Sequence, residues 1–439
     1  MTLTEASFWT RRFGVIAGSG LVIFVIVVLA VTVQPKQNMP PQYLQANFAC
    51  TETREEFLPN QLNIPSLSLA SGSEAIFDIQ TDSGKIDSLP QIINVYKFDN
   101  PQQSLSAQAE AKVLAKRMGF DPDTIIRKGT EQYIWVDKVF DRTLEVQTKN
   151  LNFKLQTNSS YIRDVSETGS LPSEQEAKSM AVNYLRGLNL LEEDYAAGTH
   201  TTSLVSINPD GTFSEVSSMD QAELIKVDIQ RSKSMITIPT NIVGAEEMVN
   251  MLKTKLPEPT KVSTLINDER IDVYTFNTPV TFEDPNKANI SVYIGVEDKE
   301  KRTDGGNANV YNVEYTNWPI EPESCGTYEL ISPAIAIEKI QSGQGSLVYL
   351  NELGGDDLQN YIPKKVKKLT ILYVNITYLE TTDEQEFLQP VYVISGEAIL
   401  DNDVKANFDY YYPAINYDIV QDKIVLDIPV VEKKNAFGF

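Results

Sequence analysis

Residues 173–187 read SEQEAKSMAVNYLRG, and residues 105–118 read LSAQAEAKVLAKRM. In the first stretch Ser173-x-x-Glu176 is a capping box, in which the hydroxyl and the carboxylate each satisfy a free amide of the opening turn. Gly187 stands at its end, and Gly119 follows the second stretch as a C-terminal stop. Both are read as helices, and they look related: Glu110-Ala111-Lys112 with Ala115 lines up with Glu176-Ala177-Lys178 with Ala181. Strand-like segments follow each one. After the first helix in the chain come Tyr133–Val136, Arg142–Thr148 and Asn152–Thr157. After the second come Thr201–Ile207 and Glu223–Gln230, with the turn chemistry of Asn208-Pro209-Asp210-Gly211 between them. The shared order, helix then hairpin, weighs more than the short Ala/Glu/Lys match.

The same order continues outward. Ala75–Ile79 and Ile92–Tyr96 suit strands before the first helix. Residues 245–256, AEEMVNMLKTKL, read as a further amphipathic helix closed by Pro257 and Pro259. Strands are expected at Asp272–Phe276, Ile290–Val296 and Asn309–Tyr315. Ser332 then caps a helix to about Gln341, with Pro333 at the first helical position, where no N–H is needed. Leu369–Leu379, Gln389–Ser395 and Val404–Tyr411 complete the strands. The class is therefore α+β: tandem helix-plus-antiparallel-sheet modules at 63–160, 161–268 and, β-rich, 269–430. Residues 34–62, punctuated by Pro35, Pro40, Pro41 and Pro59, read as a stalk or linker.

Ahead of the stalk, residues 13–33 read FGVIAGSGLVIFVIVVLAVTV, without a charge. As a helix this stretch spans about 31 Å, close to the hydrocarbon thickness of a bilayer. It is longer than the apolar part of a secretory signal, and Val33-Gln34-Pro35-Lys36 is a poor cleavage site. A transmembrane helix is expected, anchored in membrane lipid through residues 13–33. Arg11 and Arg12 on one flank against Lys36 on the other favour residues 1–12 as a cytoplasmic tail and the rest as extracytoplasmic. Gly14-x-x-x-Gly18 has the spacing that lets two such helices approach closely.

Composition narrows the chemistry. The chain has 439 residues, a formal charge of −22, one histidine and two cysteines. Such acidity repels nucleic-acid phosphates, so no nucleic acid is expected as partner. Zinc sites built from His and Cys need about three or four ligands, and His200, Cys50 and Cys325 lie far apart in sequence. His200, in Gly198-Thr199-His200-Thr201-Thr202, reads as a solvent-facing strand residue. There is no phosphate loop, nucleophile elbow, Ser-x-x-Lys pair or His-Glu-x-x-His motif. No catalytic residue, metal ligand or cofactor is expected.

Several clusters remain as candidates. Carboxylates gather at Asp356-Asp357, at Asp383-Glu384 with Glu386, and at Asp401 with Asp403; these read as solvated turns, with calcium binding or two-carboxylate hydrolysis as the sharper alternative. Lys364, Lys365, Lys367 and Lys368 form a basic stretch before an apolar strand. It reads either as a guard against edge aggregation or as a patch for an anionic partner. Tyr410-Tyr411-Tyr412, with Tyr417 beyond, should place aromatics on both sides of a strand, one packed and one exposed. Asn158, Asn289 and Asn375 each open an Asn-x-Ser/Thr triplet. Cys50 and Cys325 leave two alternatives: a disulfide closing most of the chain in an oxidising compartment, or two small reduced residues.

A membrane helix before helix-then-strands units, with Leu388-Gln389-Pro390-Val391-Tyr392-Val393 running into Gly396, resembles PepSY-type modules and the membrane-anchored accessory regulators of an essential bacterial sensor kinase. With Asn94-Val95-Tyr96-Lys97 and Pro333-Ala334-Ile335-Ala336, the layout also looks like uncharacterised membrane-anchored proteins of candidate-phylum bacteria. The likeness covers most of 75–415 and carries no catalytic residue. It implies a binding or regulatory role at the cell membrane, toward an envelope protein or peptide, rather than an enzyme. A structural cell-surface protein and a carboxylate-based envelope enzyme are the rival readings.

Overall fold

A computed structural model describes residues 45–425 apart from 74–75, 82–89, 102–103, 130, 242–243, 255, 267–268, 301–307, 352–360 and 402. The expected tail, transmembrane helix and first part of the stalk lie outside the described residues, as do Asp356 and Asp357. Among the described residues no helix is long and apolar enough to cross a membrane.

The fold is mixed α+β and dominated by strands. In chain order these are β1 (Ile76–Ile79), β2 (Ile92–Lys97), β3 (Ile126–Lys128), β4 (Gln132–Asp137), β5 (Arg142–Gln147), β6 (Phe153–Thr157), β7 (Thr199–Ile207), β8 (Phe213–Val216), β9 (Leu224–Gln230) and β10 (Ser232–Pro239). They continue with β11 (Thr260–Ile266), β12 (Glu269–Phe282), β13 (Ile290–Ile294), β14 (Val310–Tyr315), β15 (Gly326–Glu329), β16 (Ser346–Asn351), β17 (Val366–Glu380), β18 (Phe387–Leu400) and β19 (Lys405–Pro413). The helices are α1 (Arg54–Phe57), α2 (Ala107–Arg117), α3 (Ser159–Ser166), α4 (Glu174–Leu188), α5 (Glu193–Ala196), α6 (Ala245–Lys253) and α7 (Pro333–Gln341).

One sheet has nine strands in the order β3-β4-β5-β6-β14-β13-β9-β7-β8. Its order has a simple origin. Helix α2 is followed by the meander β3-β4-β5-β6, and α4 by the meander β7-β9-β13-β14, with β8 as an added hairpin arm. The last strands of the two meanders pair antiparallel, Phe153 with Tyr315 and Leu155 with Val313, so two like units share one continuous sheet. Ala111, Ala115, Ala177 and Ala181 are fully buried on the two helices and pack on Trp135, Val146, Val227 and Val292. Small residues at these positions let the helices lie close to the sheet, and each fully buried aliphatic strand residue contributes about 1.5–3 kcal/mol.

The second sheet runs β10-β12-β17-β18-β19-β16, with β11 added to β12, β1 to β17, and β2 linking β18 to β15. Between β9 and β13 the chain leaves the nine-stranded sheet, builds β10, α6, β11 and β12 here, and returns.

Two expectations are corrected by this topology. The modules 63–160, 161–268 and 269–430 are not separate sheets in series: β13 and β14 come from the third span, yet they complete the sheet begun by the other two. Local sequence periodicity reports each strand but not which distant strand it joins. The stalk also ends early, because from Ala46 the chain belongs to one compact unit. Phe48 and Phe57 are buried against Tyr328, and Phe57 stacks on that ring with centroids 4.5 Å apart. Asn47 clamps β15, accepting from Thr327 N at 2.8 Å. Gly326 makes room for this approach: a Cβ there would lie 2.7 Å from Ala49 N.

Candidate binding cleft

The C-terminal ends of α2 and α4 converge where the two meanders meet. Helix α4 stops at Asn189, which adopts a left-handed φ of 64° that asparagine tolerates better than most residues. Arg117, the last residue of α2, donates Nη1 to Leu188 O at 3.0 Å and fixes one helix end to the other. Tyr315 donates its hydroxyl to Leu190 O at 3.3 Å from the sheet below. These bonds hold open a cleft of about 560 Å³. Its walls include Val113, Leu151, Leu188 and Leu190, and Val113 is 52% exposed on α2.

Polar residues share the lining with these apolar walls, among them Glu110, Arg117, Asn150, Glu192 and Asn317. Glu110 accepts from Ser106 Oγ at 2.6 Å, and Glu192 Oε1 accepts from Asn317 Nδ2 at 2.7 Å. Asn150 Nδ2 is buried without a hydrogen-bond partner. Concave apolar walls with a small number of oriented polar groups are what binding sites generally present. No nucleophile–base pair is assembled there, and among the described residues no group of three or more His, Cys, Asp or Glu is placed to hold a metal ion.

Behind the cleft, Asn317 links it to a buried charge. Its Oδ1 accepts from Arg231 Nη2 at 2.6 Å and from the Tyr195 hydroxyl at 3.2 Å. Arg231, the single residue between β9 and β10, is where the chain passes from one sheet to the other. It pairs with Glu380 at 3.2 Å, donates to Trp318 O at 3.1 Å, and its guanidinium lies 4.7 Å from the Tyr195 ring centroid. Both partners are buried, at 1% and 0% exposure. Burial holds the Glu380 carboxyl above the usual carboxylate range, with the Arg231 charge opposing it. Burial alone would disfavour the Arg231 charge, but Glu380 and Tyr195 outweigh it and hold the guanidinium protonated.

The residues singled out from sequence lie elsewhere. Cys50 and Cys325 are joined by a disulfide, with Cα atoms 4.6 Å apart. The four lysines are already matched: Lys364 donates to Leu350 O and Asn351 Oδ1 at 3.2 and 2.8 Å, Lys367 meets Asp403 at 2.9 Å and Lys368 meets Asp78 at 2.8 Å. Lys365 stands 3.7 Å from Asp401. Lys365 and Lys367 at the start of β17 thus offset the acidic tip Asp401/Asp403 in the turn between β18 and β19. Glu384 pairs with Lys149, linking the turn before β18 to the turn before β6. Tyr410 and Tyr411 are both buried, so the expected exposed aromatic side is covered at these two positions. His200 is half-buried rather than solvent-facing, and its Nε2 donates to Tyr195 O at 2.8 Å. Of the three Asn-x-Ser/Thr asparagines, Asn375 is exposed on β17, Asn158 caps α3, and Asn289 is buried.

The cleft residues were not singled out from sequence. The available signal was the paired helix ends, Gly119 and Asn189, but nothing in the sequence aligns them in space.

A scan against protein-family models finds no match, and a search of curated proteins finds none. Among solved structures, an uncharacterised protein from Eubacterium rectale aligns over 84% of this chain and 95% of its own, at 12% identity and a TM-score of 0.36.

Proposed function

We propose that this chain is a membrane-anchored extracytoplasmic module that binds a segment of an envelope protein or peptide and acts as a binding or regulatory component rather than an enzyme. The observation that carries the reading is the cleft at the junction of the two helix-plus-meander units, where Val113, Leu151, Leu188 and Leu190 form apolar walls ringed by the polar side chains of Glu110, Arg117, Asn150, Glu192 and Asn317. The uncharged run 13–33 supports the anchor, and the Cys50–Cys325 bridge supports an oxidising compartment. The repeated helix-then-strands order supports the resemblance to PepSY-type and sensor-kinase accessory modules.

The test uses the full chain in its own membranes. A photoreactive side chain replacing Val113 should cross-link to a discrete partner after detergent solubilisation, and Val113→Glu should abolish co-purification of that partner. A discrete cross-linked species that co-purifies equally with the Val113→Glu variant, or no partner at all, would refute the cleft as the binding site.

A further inference from the structure

We infer that β11 is an open sheet edge at which a second copy of this chain adds its own β11, antiparallel, to make one sheet across two molecules. The strand pairs along one side only, in unbroken register with β12 from Thr260 opposite Thr275 to Ile266 opposite Glu269. Among the described residues none hydrogen-bonds its other side through backbone. The remaining edges are blunted. On the far side of β16, Leu67 N donates to Leu347 O at 2.7 Å, and Leu347 N donates to Ser66 Oγ at 3.1 Å. β10 carries a register shift between Ser234 and Ile236, and the Tyr96 and Tyr378 hydroxyls donate to Ser234 O at 2.7 and 3.2 Å. β1, β3 and β8 are three or four residues long.

β11 has none of these protections. It lacks proline and a bulge, and it leaves Val262 57% and Leu265 73% exposed. A free backbone ladder flanked by large apolar side chains is a template for another strand. Charge selects the occupant. A chain of net charge −22 repels its own copies over most of its surface. Residues 259–267, PTKVSTLIN, contain no acid, and their single cation, Lys261, is held by Asp272 at 2.7 Å. Two copies can therefore meet strand to strand here without like charges opposed. A partner recognised through charge finds no unmatched one on the strand. An antiparallel pair centred on Ser263 also sets the β-branched Val262 of one copy opposite Thr264 of the other, the pairing that favours sheets.

The experiment uses the full chain purified in detergent. The two native cysteines are bridged, so a single cysteine introduced at each of positions 261 to 265 in turn is the only free thiol. Oxidation should give a covalent dimer whose yield peaks at one of these five residues and falls on both sides. The double variant V262K/L265K should weaken dimerisation at least about tenfold. Its melting temperature should stay within a few degrees, because both side chains are already exposed. Three results would overturn the inference: a monomeric wild-type chain, cross-linking without a peak along β11, or a dimer unchanged in V262K/L265K and therefore held elsewhere. A monomer that captures a different protein on β11 would overturn it as well. None of these outcomes bears on the cleft, whose variants lie on α2.

Discussion

Arg231 is one residue between two strands, and it carries the passage from one sheet to the other. Its charge is tolerable because Glu380, 149 residues away in sequence, meets it in the core. Removing one partner of such a pair leaves an uncompensated buried charge and costs roughly 3–5 kcal/mol. Arg231→Met should therefore destabilise the chain by that order in denaturant unfolding. The loss should also depend on pH. Without the guanidinium, burial keeps the Glu380 carboxyl protonated to higher pH than in the unfolded chain. A group with a raised folded value contributes stability at low pH that is lost as pH rises through that value, so the variant should be weaker at about pH 8 than at about pH 5. Arg231→Met with Glu380→Leu should recover much of the stability and flatten this dependence; a double variant as weak as the single one would contradict the account. None of this was legible locally: Gln230-Arg231-Ser232 reads as ordinary polar sequence, and only the partner far along the chain makes it core. The lysines show the reverse. Lys364–Lys368 stands out in sequence as an edge guard or a patch for an anionic partner, and in the fold its charges are met by Asp78, Asp401, Asp403 and the end of β16. Exposed pairs of this kind contribute roughly 0–1 kcal/mol each. Replacing Lys365 and Lys367 with glutamine should leave the melting temperature within a few degrees, and a cooperative loss of structure would show that the stretch does more than match charge.

At the scale of elements, what the sequence announces is what is local. Ser173 accepts from Glu176 N at 3.3 Å and Glu176 accepts from Ser173 N at 2.8 Å, the reciprocal bonds of the box. Ser332 and Pro333 open α7 in the same legible way. Ser173→Ala should cost about 1 kcal/mol of stability, measured by denaturant melts. Bonds from Ser173 hold the Glu176 carboxyl below its usual range, so this contribution is present at neutral pH and lost as pH falls through that lowered value. The segment from Ala46 to Asn60 was not legible, because Pro59 and its polar residues continue the proline-punctuated stretch that reads as a stalk. Its anchors, Phe48 and Phe57, find their partners on β15 and β18, near the other end of the chain. Phe57→Ala should cost about 3–5 kcal/mol, the usual range for truncating a buried aromatic. A loss below about 1 kcal/mol would mean that the segment is held by its other contacts and not by this ring.

At the scale of the whole molecule, the first meander and both helix-then-strands units could be read ahead, but the completion of the second meander by β13 and β14 and the joining of the two units could not. The edge pairing of β6 with β14 joins residues about 160 apart, and the excursion through β10–β12 is tied to β17 by residues about 98 apart, distances over which a period of two carries no information. The covalent bridge works over the same range. Cys50 and Cys325 are 275 residues apart in sequence, and the bond closes the larger part of the compact unit into a ring, leaving β15 to β19 and α7 outside it. Restricting the unfolded chain in this way stabilises the fold by on the order of 5 kcal/mol in the chain-entropy account, an upper figure because unfolded chains retain some structure. The bridge is not alone: Phe48, Phe57, Tyr328 and Phe387 pack around it, and Lys423 meets Glu52 at 3.0 Å nearby. The native fold should therefore form without the bond, but at a lower midpoint. Cys50→Ser with Cys325→Ser should keep the wild-type far-UV spectrum, lose up to about 5 kcal/mol in denaturant melts, and remove the mobility difference between reducing and non-reducing gels. Alkylation of the unreduced wild-type protein should label neither cysteine. Two labelled thiols in the native protein would refute the bridge, and with it the main support for an oxidising compartment.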